Sequence, residues 1–123
     1  MNGMATFELL LCQSFEPPNK KVVDYWKFKV MDGKDITATS GYEAIQYACK
    51  WLKTPSVKGS PTLFVRIAKA DKYRPGEYRY YCAVYQKNGD YLKVDDKGEY
   101  RISPKTGRKL YPSVKKKTIA KKR

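Results

Sequence analysis

The sequence predicts an α+β domain: an antiparallel β-sheet of about five or six strands, one α-helix over residues 41–53 packed on one face, and a basic disordered C-terminal tail. Three observations predict it. Segments of period two, rich in Val, Ile, Phe and Tyr, recur along the first hundred residues and are separated by Gly, Pro, Asn and Asp, as strands joined by tight turns require. One stretch switches to the apolar spacing of a helix. The last 20 residues carry nine bases and no acid, a charge density that cannot bury enough surface to offset its ordering entropy. With 41% hydrophobic and 14% aromatic residues, the 123-residue chain can build one core and has no length for two. The domain is therefore expected over residues 1–103 and the flexible tail over 104–123.

Residues 6–15 read as the first strand, with Phe7, Leu9, Leu11 and Phe15 on one face and Glu8, Cys12 and Ser14 on the other. Pro17-Pro18-Asn19 breaks it. Residues 22–31 alternate again, placing Val22, Trp26, Phe28 and Val30 opposite Val23, Tyr25, Lys27 and Lys29. Asp32-Gly33-Lys34 reads as a turn, followed by a short β-branched piece over 35–39. Ser40-Gly41-Tyr42-Glu43 is a capping box in which the serine hydroxyl takes an early helix amide and the glutamate reaches back. Behind it, Ala44, Ile45, Ala48, Cys49 and Leu52 form one apolar stripe, so a helix over 41–53 is expected, ended by the Pro- and Gly-containing segment 54–61.

Residues 62–69 read as a strand with Leu63, Val65 and Ile67 toward the core and Phe64 and Arg66 opposite. A turn at Tyr73-Arg74-Pro75-Gly76 leads to the tyrosine-dense strand 77–87. Asn88-Gly89 is a two-residue hairpin signal, the return strand covers 90–94, and Asp95-Asp96-Lys97-Gly98 turns into a last strand over 99–103.

The charge is unevenly divided. Of the formal +14, residues 1–103 hold only +5, whereas the tail holds +9 through Lys105, Arg108, Lys109, Lys115, Lys116, Lys117, Lys121, Lys122 and Arg123. Such a run, undiluted by acids, suits a polyanion-binding arm. On the sheet face away from the helix, the off-core positions bring Tyr25, Lys27 and Lys29 beside Phe64 and Arg66, and beside Arg79, Tyr81 and Tyr85. Rings interleaved with cations suit single-stranded nucleic acid, because each exposed base can stack for about 1–3 kcal/mol while a neighbouring base-bearing side chain neutralises the phosphate. The hairpin leaves one ambiguity. An Asn88-Gly89 turn pairs Tyr85 with Leu92, which draws Tyr81 and Tyr85 toward the core, while a bulge would exchange them for Tyr80 and Tyr91.

Composition also removes chemistry. The chain has no histidine, so neither a Ser-His-Asp nor a Cys-His nucleophile is available, nor an imidazole metal ligand. The Asp-x-Lys strings lie in Gly-containing turns rather than converging on a divalent ion. There is no phosphate-binding glycine loop. Cys12, Cys49 and Cys82 are widely spaced and odd in number, as reduced core thiols would be, which points to an intracellular protein, cytoplasmic or nucleoid-associated. No leader peptide and no membrane span is expected.

A non-catalytic nucleic-acid-binding protein is thus expected, preferring single-stranded DNA or RNA over duplex, with no catalytic residue, metal or cofactor. The alternative is a small phage- or mobile-element-type inhibitor that docks on a protein partner through its Tyr-rich basic face. A second alternative is a structural component of a nucleoprotein particle. The composition leaves room for a protein partner and for a homodimer.

Overall fold

The structure, a computed structural model, describes residues 4–15, 28–52 and 61–110. Strands β1 (Ala5–Ser14) and β2 (Lys29–Ala38) are followed by helix α1 (Gly41–Trp51), then by β3 (Thr62–Ala70), β4 (Tyr78–Lys87), β5 (Asp90–Asp95) and β6 (Gly98–Ile102). All six strands form one antiparallel sheet in the order β2-β1-β3-β4-β5-β6. This is the α+β architecture read from the sequence. Because β2 and β3 both pair antiparallel with β1, they run parallel to each other, and parallel strands need a crossover. The crossover carries α1, which packs against β2, β3 and β4.

The helix begins where the capping box places it. Ser40 Oγ accepts the Glu43 amide at 3.3 Å, and Glu43 Oε1 accepts the backbone amide of Thr39 at 2.7 Å, one residue earlier than the reciprocal bond expected at Ser40. The helix ends at Trp51, two residues before the expected end, with Leu52 as C-cap, its amide donating to the Ala48 carbonyl at 3.1 Å. The orphan carbonyl of Leu52 is taken by the Tyr91 hydroxyl at 3.2 Å, as a buried helix end requires. Ala44, Ile45, Ala48 and Cys49 face the sheet, and the small side chains of Ala44, Ala48 and Cys49 let the helix lie close to it.

Below the helix, Phe7, Leu9, Val65, Ile67, Cys82, Val84 and Ile102 complete one apolar cluster. Phe7, Leu9 and Leu11 of β1 and Leu63, Val65 and Ile67 of β3 lie on this side, as their alternation predicts. Phe15 does not. It stands one residue past the end of β1 and is 82% exposed. The opposite sheet face carries a second cluster of buried residues, Cys12, Phe64, Ala83, Tyr85, Leu92 and Val94, with Leu10 and Phe28 packed against it.

Two local expectations need correction. Asp32-Gly33-Lys34 is not a turn but the middle of β2, held extended by pairing of Asp32 with Leu11, Gly33 with Leu10 and Lys34 with Leu9. Ladder hydrogen bonds outweigh the turn preference of Asp and Gly here, and a Cβ at Gly33 would stand 2.9 Å from Leu10 Cδ2, so the glycine serves close packing rather than a turn. A bulge opposite Leu11 and Cys12 leaves Met31 outside the register. Of the segment expected as a strand over 22–31, residues 22–27 lie outside the described residues.

The second correction concerns residues 104–110, expected to belong to a free tail. They fold back on the domain. Gly107 donates to the Ser103 carbonyl at 2.7 Å, Ser103 to Arg108 at 3.0 Å and Leu110 to Arg101 at 2.8 Å, while Lys109 bridges Ile102 on the outer side of β6. The rest of the tail, 111–123, lies outside the described residues.

The hairpin follows its sequence. Asn88 and Gly89 take φ of 52° and 86°, as a two-residue I′ turn demands, and Tyr85 faces Leu92 while Val84 faces Lys93.

Gly107 and Gly89 separate two costs of adding a side chain. At Gly107 (φ +73°) a Cβ would stand 2.3 Å from the Tyr42 carbonyl oxygen, whereas at Gly89 (φ +86°) it would meet open space. Gly107→Ala should lower stability by about 2 kcal/mol or more, through strain plus overpacking, and Gly89→Ala by about 1 kcal/mol through strain alone. Thermal unfolding of the two variants checks the order; equal midpoints would contradict the packing of residue 107 against α1.

Candidate nucleic-acid interface

The single surface expected from the off-core positions does not assemble. Tyr25 and Lys27 lie outside the described residues, as do Lys115, Lys116, Lys117, Lys121, Lys122 and Arg123. Phe64, Arg66 and Tyr85 do share the sheet face away from α1, but they are 1%, 8% and 2% exposed. Phe64 meets Phe28 edge-on at 5.3 Å between centroids, and the Arg66 guanidinium lies over the Tyr80 ring at 5.3 Å. A base could not reach these rings without opening the second cluster. The sequence did carry a signal of this: the near-continuous apolar stretches 63–68 and 82–85 read as strands buried on both faces rather than on one.

Tyr81 fails for a different reason. Between Ile67 and Ala68 the β3–β4 register slips, so that Ile67 pairs with Cys82 and Ala68 with Tyr80, leaving Tyr81 as the extra residue. The bulge turns Tyr81 to the helix side, where its ring lies 6.1 Å from that of Phe7 and fills the space a Cβ at Gly41 would need. Tyr80 keeps the other side and donates to the Val94 carbonyl at 2.9 Å. The anticipated choice between Tyr81 with Tyr85 and Tyr80 with Tyr91 is thus resolved as neither: Tyr81 joins Tyr91 on the helix side, and Tyr80 joins Tyr85 on the other. Lys29 opens the exposed edge strand β2 opposite Gln13, and Arg79 sits near the start of β4 with its Nε donating to Asp71 Oδ2.

Cations and rings do come together elsewhere, along the outer side of α1 and β6. The described part of the tail brings them there. Its Lys105 carbonyl accepts the side-chain amide of Gln46 on α1. Arg108 then stacks over Tyr42 at 4.3 Å from its ring centroid, and Lys109 over Tyr100 at 4.1 Å. Contacts of this kind contribute about 0.5–1 kcal/mol each at exposed sites. Tyr42 is 41% and Tyr47 45% exposed. Both stand on the polar side of the helix, off its apolar stripe. Sequence reasoning missed Tyr42, Gln46 and Tyr100, because it treated the segment after Ser103 as detached; the capping box had nevertheless placed Tyr42 at the start of the helix, away from the apolar stripe.

The interior is chemically quiet. Burial pushes the Cys12 and Cys49 thiols up to about 12, the nearby Arg66 only partly offsetting this for Cys12. Cys82 is raised for the same reason. All three cysteines are buried, so none presents a thiolate. Burial likewise pushes Tyr81 up to about 12 and raises Tyr85, whose hydroxyl donates to Glu99. Among the described residues, no three His, Cys, Asp or Glu side chains converge as a metal site would need, and no helix is long and apolar enough to cross a membrane.

No protein-family model, curated protein or solved structure matches the chain.

Two outcomes follow from the burial. Phe64→Ala should cost about 3–5 kcal/mol in urea unfolding, as a core residue does and an exposed stacking residue does not. For the thiols, the folded value of about 12 lies above the ordinary 9.0, so the unfolded chain releases its proton first. Stability should be full below pH 9 and fall as pH rises toward 12. A urea midpoint that stays level between pH 9 and 11 would contradict the burial of these thiols.

Proposed function

We propose that the chain is a non-catalytic nucleic-acid-binding protein that prefers single strands, gripping them with the basic tail and the ring-bearing surface at its root. One observation carries this reading. The segment holding nine of the +14 charges is not an appendage hung from the last strand; its first residues are stapled beside α1 and β6 with Arg108 on Tyr42 and Lys109 on Tyr100. Phosphate-pairing cations and base-sized rings thereby share one surface. Exposed tyrosine rings favour single strands, whose base faces are open, over duplex, whose base faces are stacked away.

The sheet face is not part of this grip, since Phe64, Arg66 and Tyr85 are buried. Its stacking rings are instead Tyr42, Tyr47 and Tyr100. The reduced, buried cysteines support an intracellular setting, cytoplasmic or nucleoid-associated.

A second reading, docking on a protein partner or on a second copy, is favoured by β2. Residues 29–35 of this outer strand are exposed, including Val30 at 40% and Met31 at 48%, and a strand edge that none of the described residues pairs is a template for strand addition.

Fluorescence anisotropy with labelled poly(dT) separates the two. If nine cations engage phosphates, affinity should fall by about 10³–10⁴ between 50 and 200 mM salt, from a slope of about 0.7 per contact. Removing residues 111–123, with six of those cations, should reduce that slope by about 4. Absence of binding at low salt, or a salt-independent complex, defeats the nucleic-acid reading, whereas docking through β2 would survive the truncation unchanged.

A further inference from the structure

Beyond the root of the tail, a cleft of about 720 Å³ opens where the β3–β4 loop meets the start of β1, lined by Thr6, Lys69, Asp71, Lys72, Tyr73 and Arg79 among others. That volume lies in the range of small-ligand sites, roughly 300–1,000 Å³. Its loop is well built: Asp71 and Glu77 close it through a 2.8 Å backbone bond, and Glu77 donates to Arg74 at 3.0 Å across the Pro75-Gly76 turn.

Lys69 and Arg79 are direct partners in the β3–β4 register. Like charges placed directly opposite each other on neighbouring strands destabilise a sheet, and here the arrangement is only half compensated. Asp71, its side chain 5% exposed, takes the Arg79 Nε and the Tyr73 amide, the latter at 2.8 Å. Those bonds hold its carboxyl below the usual carboxylate range. Anchoring Nε fixes the guanidinium plane and leaves its terminal nitrogens without an acceptor among the described residues, a fork suited to phosphate. Lys69 has no carboxylate within ion-pair distance among the described residues. Lys72 Nζ stands 5.0 Å from the Tyr73 ring centroid, and that tyrosine is 80% exposed. Three cations face one acid beside an open ring.

We propose that this cleft binds one nucleotide unit, its phosphate between Lys69 and Arg79 and its base on the open face of Tyr73. The choice of a nucleotide as occupant rests on the nucleic-acid reading above. The cleft then supplies a fixed contact point on the folded domain, separate from the tail.

The test uses the full ¹⁵N-labelled chain, titrated at low salt first with dTMP and then with a dT decamer, alongside Lys69→Gln, Tyr73→Ala and, as a charge control on the exposed far end of β4, Lys87→Gln. The backbone amides of Lys69, Lys72, Tyr73 and Arg79 should shift and saturate with dTMP. Tyr73→Ala should weaken dTMP by at least fivefold, the loss of one stacking contact. Lys69→Gln should weaken the decamer by more than Lys87→Gln does. If those four amides do not move with dTMP, the proposal fails. It also fails if the decamer binds with Lys69→Gln and Tyr73→Ala indistinguishable from Lys87→Gln, and the tail-based reading then stands alone. If dTMP saturates the cleft while the decamer binds no better than dTMP, the cleft stands as a mononucleotide site and the polymer-binding reading falls.

Discussion

The constraint on which the rest of this fold depends is burial of the two central strands from both sides. Residues 64–68 of β3 and 82–85 of β4 are buried without interruption, the helix-side cluster holding Val65, Ile67, Cys82 and Val84 and the other cluster holding Phe64, Ala83 and Tyr85. Polar groups at a sheet centre of this kind are costly to bury, and most of them make specific contacts. Arg66 lies over Tyr80, Tyr85 donates to Glu99, and Tyr80 donates to Val94. Both sheet faces are thereby committed to stability. Among the described residues, the exposed rings and cations accordingly lie at the periphery: on the outer side of the helix, at the strand ends, or along an edge.

Tyrosine is the residue through which this division is made. The bulge at Tyr81 gives two adjacent tyrosines opposite assignments, one sealing the helix N-terminus against Phe7 and the other bonding across to β5. Tyr91 ends the helix by taking the Leu52 carbonyl. Tyr42, Tyr47 and Tyr73, in contrast, remain on the surface. Large rings with a polar tip suit both tasks, because the ring contributes apolar area and the hydroxyl finds either a partner or water.

How much of this could be read from the sequence depended on how local the cause was. The capping box at Ser40 and Glu43 and the Asn88-Gly89 turn act within four residues, and both sit where their residues place them. The edges of β3, β4, β5 and β6 fall within a residue of the expected ones for the same reason, since turn residues mark them. By contrast, β2 runs through Asp32-Gly33-Lys34 because β1 pairs with it, and that partner is about 20 residues away in sequence. The bulge at Tyr81 depends on β3. The staple of Lys105 to Gln46 spans 59 positions, so a segment whose composition reads as free tail is in part a component of the domain. The candidate surface suffered most, because membership of a face requires register, and a single slipped residue reassigns every side chain beyond it.

The two outer strands of the sheet are not equivalent. β6 is met on its outer side by Lys109 and Leu110, whereas β2 ends the strand order with none of the described residues paired beyond it. Open fibres need two complementary sticky sides on each molecule, one to receive and one to offer. With one margin partly occupied by its own chain, this sheet offers, among the described residues, fewer unpaired strand groups at β6 than at β2. The fold-back after Ser103 thus takes up part of the outer hydrogen-bonding capacity of β6, whereas the exposed outer strand β2 carries Val30 and Met31.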